Sequence, residues 1–251
     1  MHRFFPALLF LAGSLPAADG GKSITISEGN RILPQLVFGR LWKTTVHLVN
    51  MDAFSAQVPV EFFDDSGAPL RVPLVGVGLV DKITVNVPGN GELVLETSSD
   101  VNEEFVQGWG RFILPVVPKV GGLAILRQRV AGRPDYEAAI PLSADTAYRS
   151  VMVFDNSAGY TTAVAVVNPR DAGLVDVTVT FRDASGNVIG NDAFQLAPRR
   201  HMTYTLPGRI SSVGGLKGVA EFRSVGAGGF SYMGLLFNSS GPFTTMFTME
   251  P

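Results

Sequence analysis

Histidine is the commonest general base and metal ligand near neutral pH, and this 251-residue chain has three: His2, His47 and His201. His2 stands in an N-terminal segment that reads as a leader. His47 and His201 fall in predicted strands of different halves, at positions that do not correspond when the halves are aligned. Neither belongs to a His-x-His or His-Glu-x-x-His pattern, so both read as isolated strand histidines. A serine nucleophile needs a Gly-x-Ser-x-Gly elbow. Gly229-Phe230-Ser231-Tyr232-Met233 approaches it, but Met233 takes the place of the second glycine and the surroundings read as a buried strand. Asp64-Asp65 and Asp183 carry oxygen ligands for calcium, yet the run stops at Ser66-Gly67, where an EF-type loop needs alternating ligands and a distant glutamate. A plain turn is the favoured reading, with a loosely held calcium ion left open. Glu103-Glu104 has the residue types for glycoside hydrolysis, but adjacent side chains on a polar loop point apart. The sequence therefore assigns no catalytic residue, no metal ligand and no cofactor.

The most distinctive charged feature is a predicted hairpin centred near Gly132. It sets Arg127 opposite Glu137 and Arg129 opposite Asp135, all on one sheet face because partners alternate by two, with Arg133 at the turn. The aligned residues of the second half, Gly234, Leu236, Pro242 and Thr244, are uncharged, so scaffold needs do not explain the ladder. It is either an exposed ion-pair ladder of little energetic value or a recognition surface for a polyanion or carboxylate-bearing partner. Trp42, Trp109 and Tyr136 are candidate aromatic contacts for sugars, with core or strand-edge packing as the plainer reading.

The elements that must position these residues are strands. Helical periodicity is almost absent, and short β-branched runs with period-two alternation recur: Thr44 to Val49, Gln57 to Phe63, Lys82 to Val87, Glu92 to Thr97, Gly108 to Leu114, Leu123 to Val130 and Tyr136 to Leu142, then Thr161 to Val167, Val175 to Phe181, Ala193 to Leu196, His201 to Leu206, Gly218 to Ser224, Phe230 to Phe237 and Phe243 to Met249. Pro59 lacks a ladder donor and predicts an edge or a bulge. The halves align. Thr44 to Asn50 matches Thr162 to Asn168, and Val58-x-Val60-x-Phe62-x-Asp64-x-Ser66-Gly67 matches Val177-x-Val179-x-Phe181-x-Asp183-x-Ser185-Gly186. Gly108 matches Gly218, and Gly121-Gly122 matches Gly228-Gly229, a pair read as permitting sharp turns. The expectation is an all-β protein of two tandem Ig-like or Greek-key β-sandwich domains, 22–143 and 148–251; a pair of small barrels is the alternative. The link at 143–147 is too short to let them swing freely.

Composition narrows the setting. Met1-His2-Arg3, the apolar run from Phe4 to Leu11 and the small residues Gly13 to Ala18 have the order of a secretory signal peptide over residues 1–18, cut after Ala17 or Ala18. No later stretch reaches the roughly 18 apolar residues of a membrane span. Without cysteine there is no lipid-anchored cysteine, disulfide or thiolate metal site. A formal net charge of −2 with no basic stripe gives no field for nucleic acid. A secreted or periplasmic location follows, with an extracellular protein or polysaccharide as the partner class.

Several segments carry a resemblance. Leu33-Pro34-Gln35-Leu36-Val37-Phe38-Gly39 ahead of Trp42, the stretch from Arg127 through Gly132-Arg133-Pro134-Asp135-Tyr136 to Ala138, Thr161 to Pro169, Arg182 to Asn187 and Gly234 to Asn238 are similar to a tandem β-sandwich repeat of proteins secreted by soil bacteria. The similarity spans nearly the whole mature chain. It implies export and a β-sandwich, with no established activity and no functional residue to carry over. The expected function is that of a non-catalytic extracellular or cell-surface interaction or structural module; the alternative is a pair of carbohydrate-binding modules.

Overall fold

A computed structural model describes residues 29–98, 104–117, 119–144, 147–226, 228–246 and 248–249. The expected signal peptide, residues 1–18, lies outside them, as do Glu103 and the link residues Asp145 and Thr146. The regular secondary structure of the described chain is almost entirely antiparallel β-strand; its helical residues are confined to Leu206–Arg209 and Ser211–Val213. Among the described residues no helix is long and apolar enough to cross a membrane.

Four main sheets form two facing pairs. Sheet I runs, edge to edge, Ser143–Ala144, Asn30–Phe38, Val106–Ile113, Ala56–Phe63 and Lys82–Val87; sheet II runs Tyr136–Pro141, Val120–Gln128, Trp42–Asn50 and Glu92–Glu96. Sheet III runs Thr248–Met249, Arg149–Asp155, Lys217–Val225, Val175–Asp183 and Val188–Leu196; sheet IV runs Phe243–Met246, Ser231–Asn238, Tyr160–Val167 and His201–Thr205. Taken in chain order, the strands of sheets III and IV occupy the same relative places as those of I and II. A small two-stranded sheet, Val72–Leu74 with Gly78–Val80, is added to the first half.

Alternation explains each core. Val58, Val60 and Phe62 point inward from one sheet against Val46, Leu48 and Leu126 of its partner. Val177, Val179 and Phe181 do the same against Val164, Val166 and Phe230. A period of two puts every second side chain on the buried face. Pairing of Ala56–Phe63 with Val106–Ile113 begins only at Val60, one residue beyond Pro59, so the missing amide stands where the ladder has opened.

Matched residues make matched bonds. The Thr44 hydroxyl bonds both the amide and the carbonyl of Val37 (3.0 and 2.8 Å), and Thr162 treats Asp155 likewise (2.9 and 3.0 Å). Asn50 Nδ2 donates to the carbonyls of Phe54 and Val87, while Asn168 Nδ2 donates to those of Gly173 and Leu196; each Oδ1 accepts the amide two residues on. Asp64 Oδ1 accepts from the Ser66 and Ala68 amides, and Asp183 Oδ1 from those of Ser185 and Asn187, with Gly67 and Gly186 at φ of 87° and 86°. This is turn chemistry, and the described residues hold no group of three or more metal-ligating side chains.

One glycine reading is corrected. Gly121 and Gly122 lie within the Val120–Gln128 strand, not at a turn, and a Cβ on Gly122 would stand 2.5 Å from the His47 carbonyl oxygen. Close approach, not left-handed backbone, requires glycine there.

Candidate functional site

The outer faces of sheets I and IV meet, and the residues with chemical potential converge there. The Tyr160–Val167 strand is buried on both sides: Val164 and Val166 enter the second core, while Ala165 joins the first. Val167 packs with Ile32, Phe63 and Trp109 in a small cluster of its own. Trp109 is fully buried, stacks on Phe63 at 4.6 Å and donates its indole N–H to the Arg199 carbonyl at 3.0 Å. It is therefore not available to a sugar, which corrects its place among the candidate aromatic contacts. The apolar surface it covers is the opposite half of its own chain.

Around Trp109 the joint is polar. Arg111, 8% exposed, pairs with Glu61 at 2.6 Å in its own half and with Asp171 at 3.1 Å in the other, and it donates to the buried Pro169 carbonyl. Its guanidinium lies over the Phe63 ring. His201 is 1% exposed, and its Nδ1 meets Asp65 Oδ1 at 2.7 Å across the joint. Burial alone would raise the Asp65 carboxyl, but hydrogen bonds from His201 and Gln107 outweigh it and hold the group below the usual carboxylate range. His47 is elsewhere, on the outer face of sheet II, with Nδ1 2.6 Å from Glu92; the two histidines form no common site. Ser231 is buried, and its hydroxyl meets that of Ser143 at 2.5 Å.

A cleft of about 170 Å³ opens between the halves beside this joint. Its walls are mostly apolar, among them Val37, Trp42, Phe105, Met233, Leu235 and Phe237. Two amides, Gln35 and Gln107, and the Thr203 hydroxyl supply its polar groups. Local sequence explains why Gln35 lines it. Pro34 and Gln35 together stand opposite the single residue Trp109, because the register shifts between Leu33 and Leu36. Such a bulge re-aims a side chain out of the regular alternation.

No protein-family model matches the chain, and no curated protein sequence matches it. What the molecule does has to be argued from its own residues.

The predicted charge ladder is partly in place. Arg127 faces Glu137 across the hairpin and pairs with it at 2.5 Å, with Gly132 at φ 75° in the turn. Arg129 and Asp135 lie beyond the last rung, and Asp135 instead accepts the Val130 amide at 3.4 Å. Arg133 lies over the Tyr136 ring. The ladder also reaches further than the sequence indicated: Lys43, next to Arg127 across the sheet, pairs with Glu96 at 3.1 Å. Burial would raise Glu96, and Lys43, the Thr45 hydroxyl and Arg127 together more than offset it, leaving that carboxyl below its ordinary range. Trp42 packs on Phe243 at 5.1 Å and Tyr136 bonds the Ser240 carbonyl at 3.3 Å, so both rings lean on the second half and do not form a row with Trp109.

Sequence reasoning missed Gln35, Gln107, Asp65, Arg111 and Phe105 as joint or cleft residues. A signal existed for two of them: Gln35 interrupts the apolar run from Ile32 to Phe38, and Arg111 sits between Gly110 and Phe112 in another strand.

Proposed function

We propose that the chain is an exported, non-catalytic interaction or structural module, made by tandem duplication of an Ig-like or Greek-key sandwich with domains over 22–143 and 148–251. The observation that carries it is the joint. The side chains best suited to chemistry, His201, Asp65 and Arg111, are spent on tying one half to the other. Duplication is supported by the shared strand order and by the matched Thr44/Thr162 and Asn50/Asn168 bonds. The charged edge formed by Arg127, Arg129, Arg133, Asp135 and Glu137 is the contact surface of this reading, because nothing in the second half requires it and all but the half-buried Arg127 stand exposed. Its partner is an extracellular protein or an anionic polysaccharide.

The test combines three measurements. N-terminal sequencing of the product exported by cells expressing the full chain should begin at Ala18 or Asp19. An array of acidic and neutral polysaccharides should show salt-sensitive retention on acidic ones, lost when Arg127, Arg129 and Arg133 are all changed to Ser. A panel of ester, glycoside and peptide substrates should show no turnover. Retention on neutral glycans that depends on Trp42 would favour the carbohydrate-binding alternative. Turnover abolished by His47→Ala or His201→Ala would overturn the non-catalytic reading.

A further inference from the structure

At one end of the first pair of sheets lies a pocket of about 270 Å³, with two cations and no carboxylate among the described residues that line it. Arg31 and Lys119 supply the charge, and Met51, Leu114, Pro115 and Val120 the apolar surface. The strands Asn30–Phe38 and Val120–Gln128 begin there, and Trp42–Asn50 and Val106–Ile113 end there. Arg31 stands directly opposite Phe112 in sheet I. Opposed residues of an antiparallel pair share a face, and Phe112 belongs to the first core, so this arginine is on the core side of its sheet. Its neighbour Ile32 faces the joint instead. Lys119 is set by its backbone: its carbonyl accepts the Met51 amide at 2.9 Å, and its own amide donates to Asp52 at 2.6 Å.

The second half shows that the scaffold does not require this arginine. Ser150 stands opposite Phe222 as Arg31 stands opposite Phe112. Ser150 is fully buried, and its hydroxyl is bonded to the Tyr232 hydroxyl and the Met249 carbonyl. In the first half a cation takes the place of that satisfied serine. Among the described residues no hydrogen bond or ion pair engages the side chain of Arg31 or of Lys119. Arg31 is half-buried and Lys119 exposed, so both are open to an entering oxygen atom. A partly buried charge without a partner has lost hydration and gained nothing in return. The planar guanidinium matches a carboxylate through two parallel bonds. Pockets that enclose drug-sized ligands run from about 300 to 1,000 Å³, so the guest here is small. We infer that this pocket binds a small monocarboxylate with a short apolar tail, the carboxylate on Arg31 and Lys119 and the tail against Met51, Leu114, Pro115 and Val120. The inference does not depend on the charged edge or on export.

Isothermal calorimetry on the purified chain tests it with hexanoate, hexanol and acetate, and the Met51 methyl signal in methyl NMR, assigned with Met51→Leu, reports where they bind. One saturable hexanoate site per chain is expected, with a shift of the Met51 signal. Hexanol keeps the tail and loses the charge, and acetate keeps the charge and loses the tail; each should bind roughly tenfold more weakly or worse. Arg31→Ser installs the residue of the second half and is checked for folding by its melting temperature. It should abolish the preference for hexanoate over hexanol, and Lys119→Gln should reduce it. N-acetyl-norleucine, which is hexanoate with a peptide-like substituent beside the carboxylate, distinguishes the source: tighter binding than hexanoate assigns the site to a peptide C-terminus, weaker binding to a free acid. Failure of hexanoate to saturate any site at millimolar concentration overturns the inference. So do equal affinities for hexanoate and hexanol, a comparison that needs no variant, and a Met51 signal unmoved at saturation.

Discussion

Arg111→Ala tests whether the joint makes the two halves one cooperative body. Removing the guanidinium leaves the Pro169 carbonyl buried with its donor gone, which costs about 1–3 kcal/mol. It also leaves Glu61, with a side chain about a third exposed, without its cation. Water reaches that carboxylate, so the loss there is closer to the surface value of about 1 kcal/mol than to that of a fully buried pair. Asp171, 65% exposed, adds almost nothing. The expected total is roughly 2–4 kcal/mol. Urea unfolding followed by tryptophan fluorescence and by far-ultraviolet circular dichroism is the assay. The parent chain should give coincident single transitions by both probes, and the variant an earlier transition in which the probes separate as the halves uncouple. Lys217→Ala, which removes an exposed partner of Asp155, is the control and should cost less than about 1 kcal/mol. The reasoning fails if Arg111→Ala shifts stability no more than Lys217→Ala and the two probes stay coincident.

Three further outcomes are expected. The Asp65 carboxyl is depressed in the folded chain, so its contribution is fully present above the unfolded value near pH 4 and is lost as pH falls through the lower folded value; Asp65→Asn should flatten that acid limb of a stability–pH profile, by less than about 1 kcal/mol because the group is partly solvated, and an unchanged limb would refute the pairing. A Cβ on Gly218 would stand 1.9 Å from the Arg182 carbonyl oxygen, whereas one on Gly121 meets nothing within 4 Å; Gly218→Ala should cost about 1–3 kcal/mol or more and Gly121→Ala should be neutral or stabilising by under about 1 kcal/mol, measured as urea midpoints. Asn50→Ala and Asn168→Ala each remove equivalent buried bonds, so both should lower stability by about 2–3 kcal/mol; losses differing several-fold would count against equivalence of the two sites.

Much of the fold could be read from the chain because period-two alternation and turn residues are local signals. Val58, Val60 and Phe62 announce a strand face without reference to anything distant, and Asp64-Ser66-Gly67 announces the turn that follows. The joint was harder to read because its signals are differences between aligned positions. His47 and Ala165 correspond in the alignment; one lies on an open sheet face and the other under the opposite half. The unbroken run Ala163-Val164-Ala165-Val166-Val167 was the hint, since a strand covered on both faces loses its polar alternation. Trp109 stays open in sequence between a sugar contact and core packing for a related reason. A tryptophan on the outer face of a sheet looks available when that sheet is considered alone, and only the packing of sheet IV against it shows otherwise. Gln35 depended on a bulge, and a one-residue register shift leaves no periodic trace in sequence.

The link between the halves has a consequence for attachment. Ser143–Ala144 is hydrogen-bonded into sheet I, Ser143 also touches Ser231, and Ala147 bridges to Phe230, so the described residues on either side of the link are each tied into a body, and the Trp109 and Arg111 bonds join the two bodies directly. Groups on opposite ends of the molecule are therefore held at a set spacing, as on a ruler. A lattice or fibre presenting docking points at that spacing gains its second contact without ordering a flexible hinge, while one with a different repeat can engage only a single end.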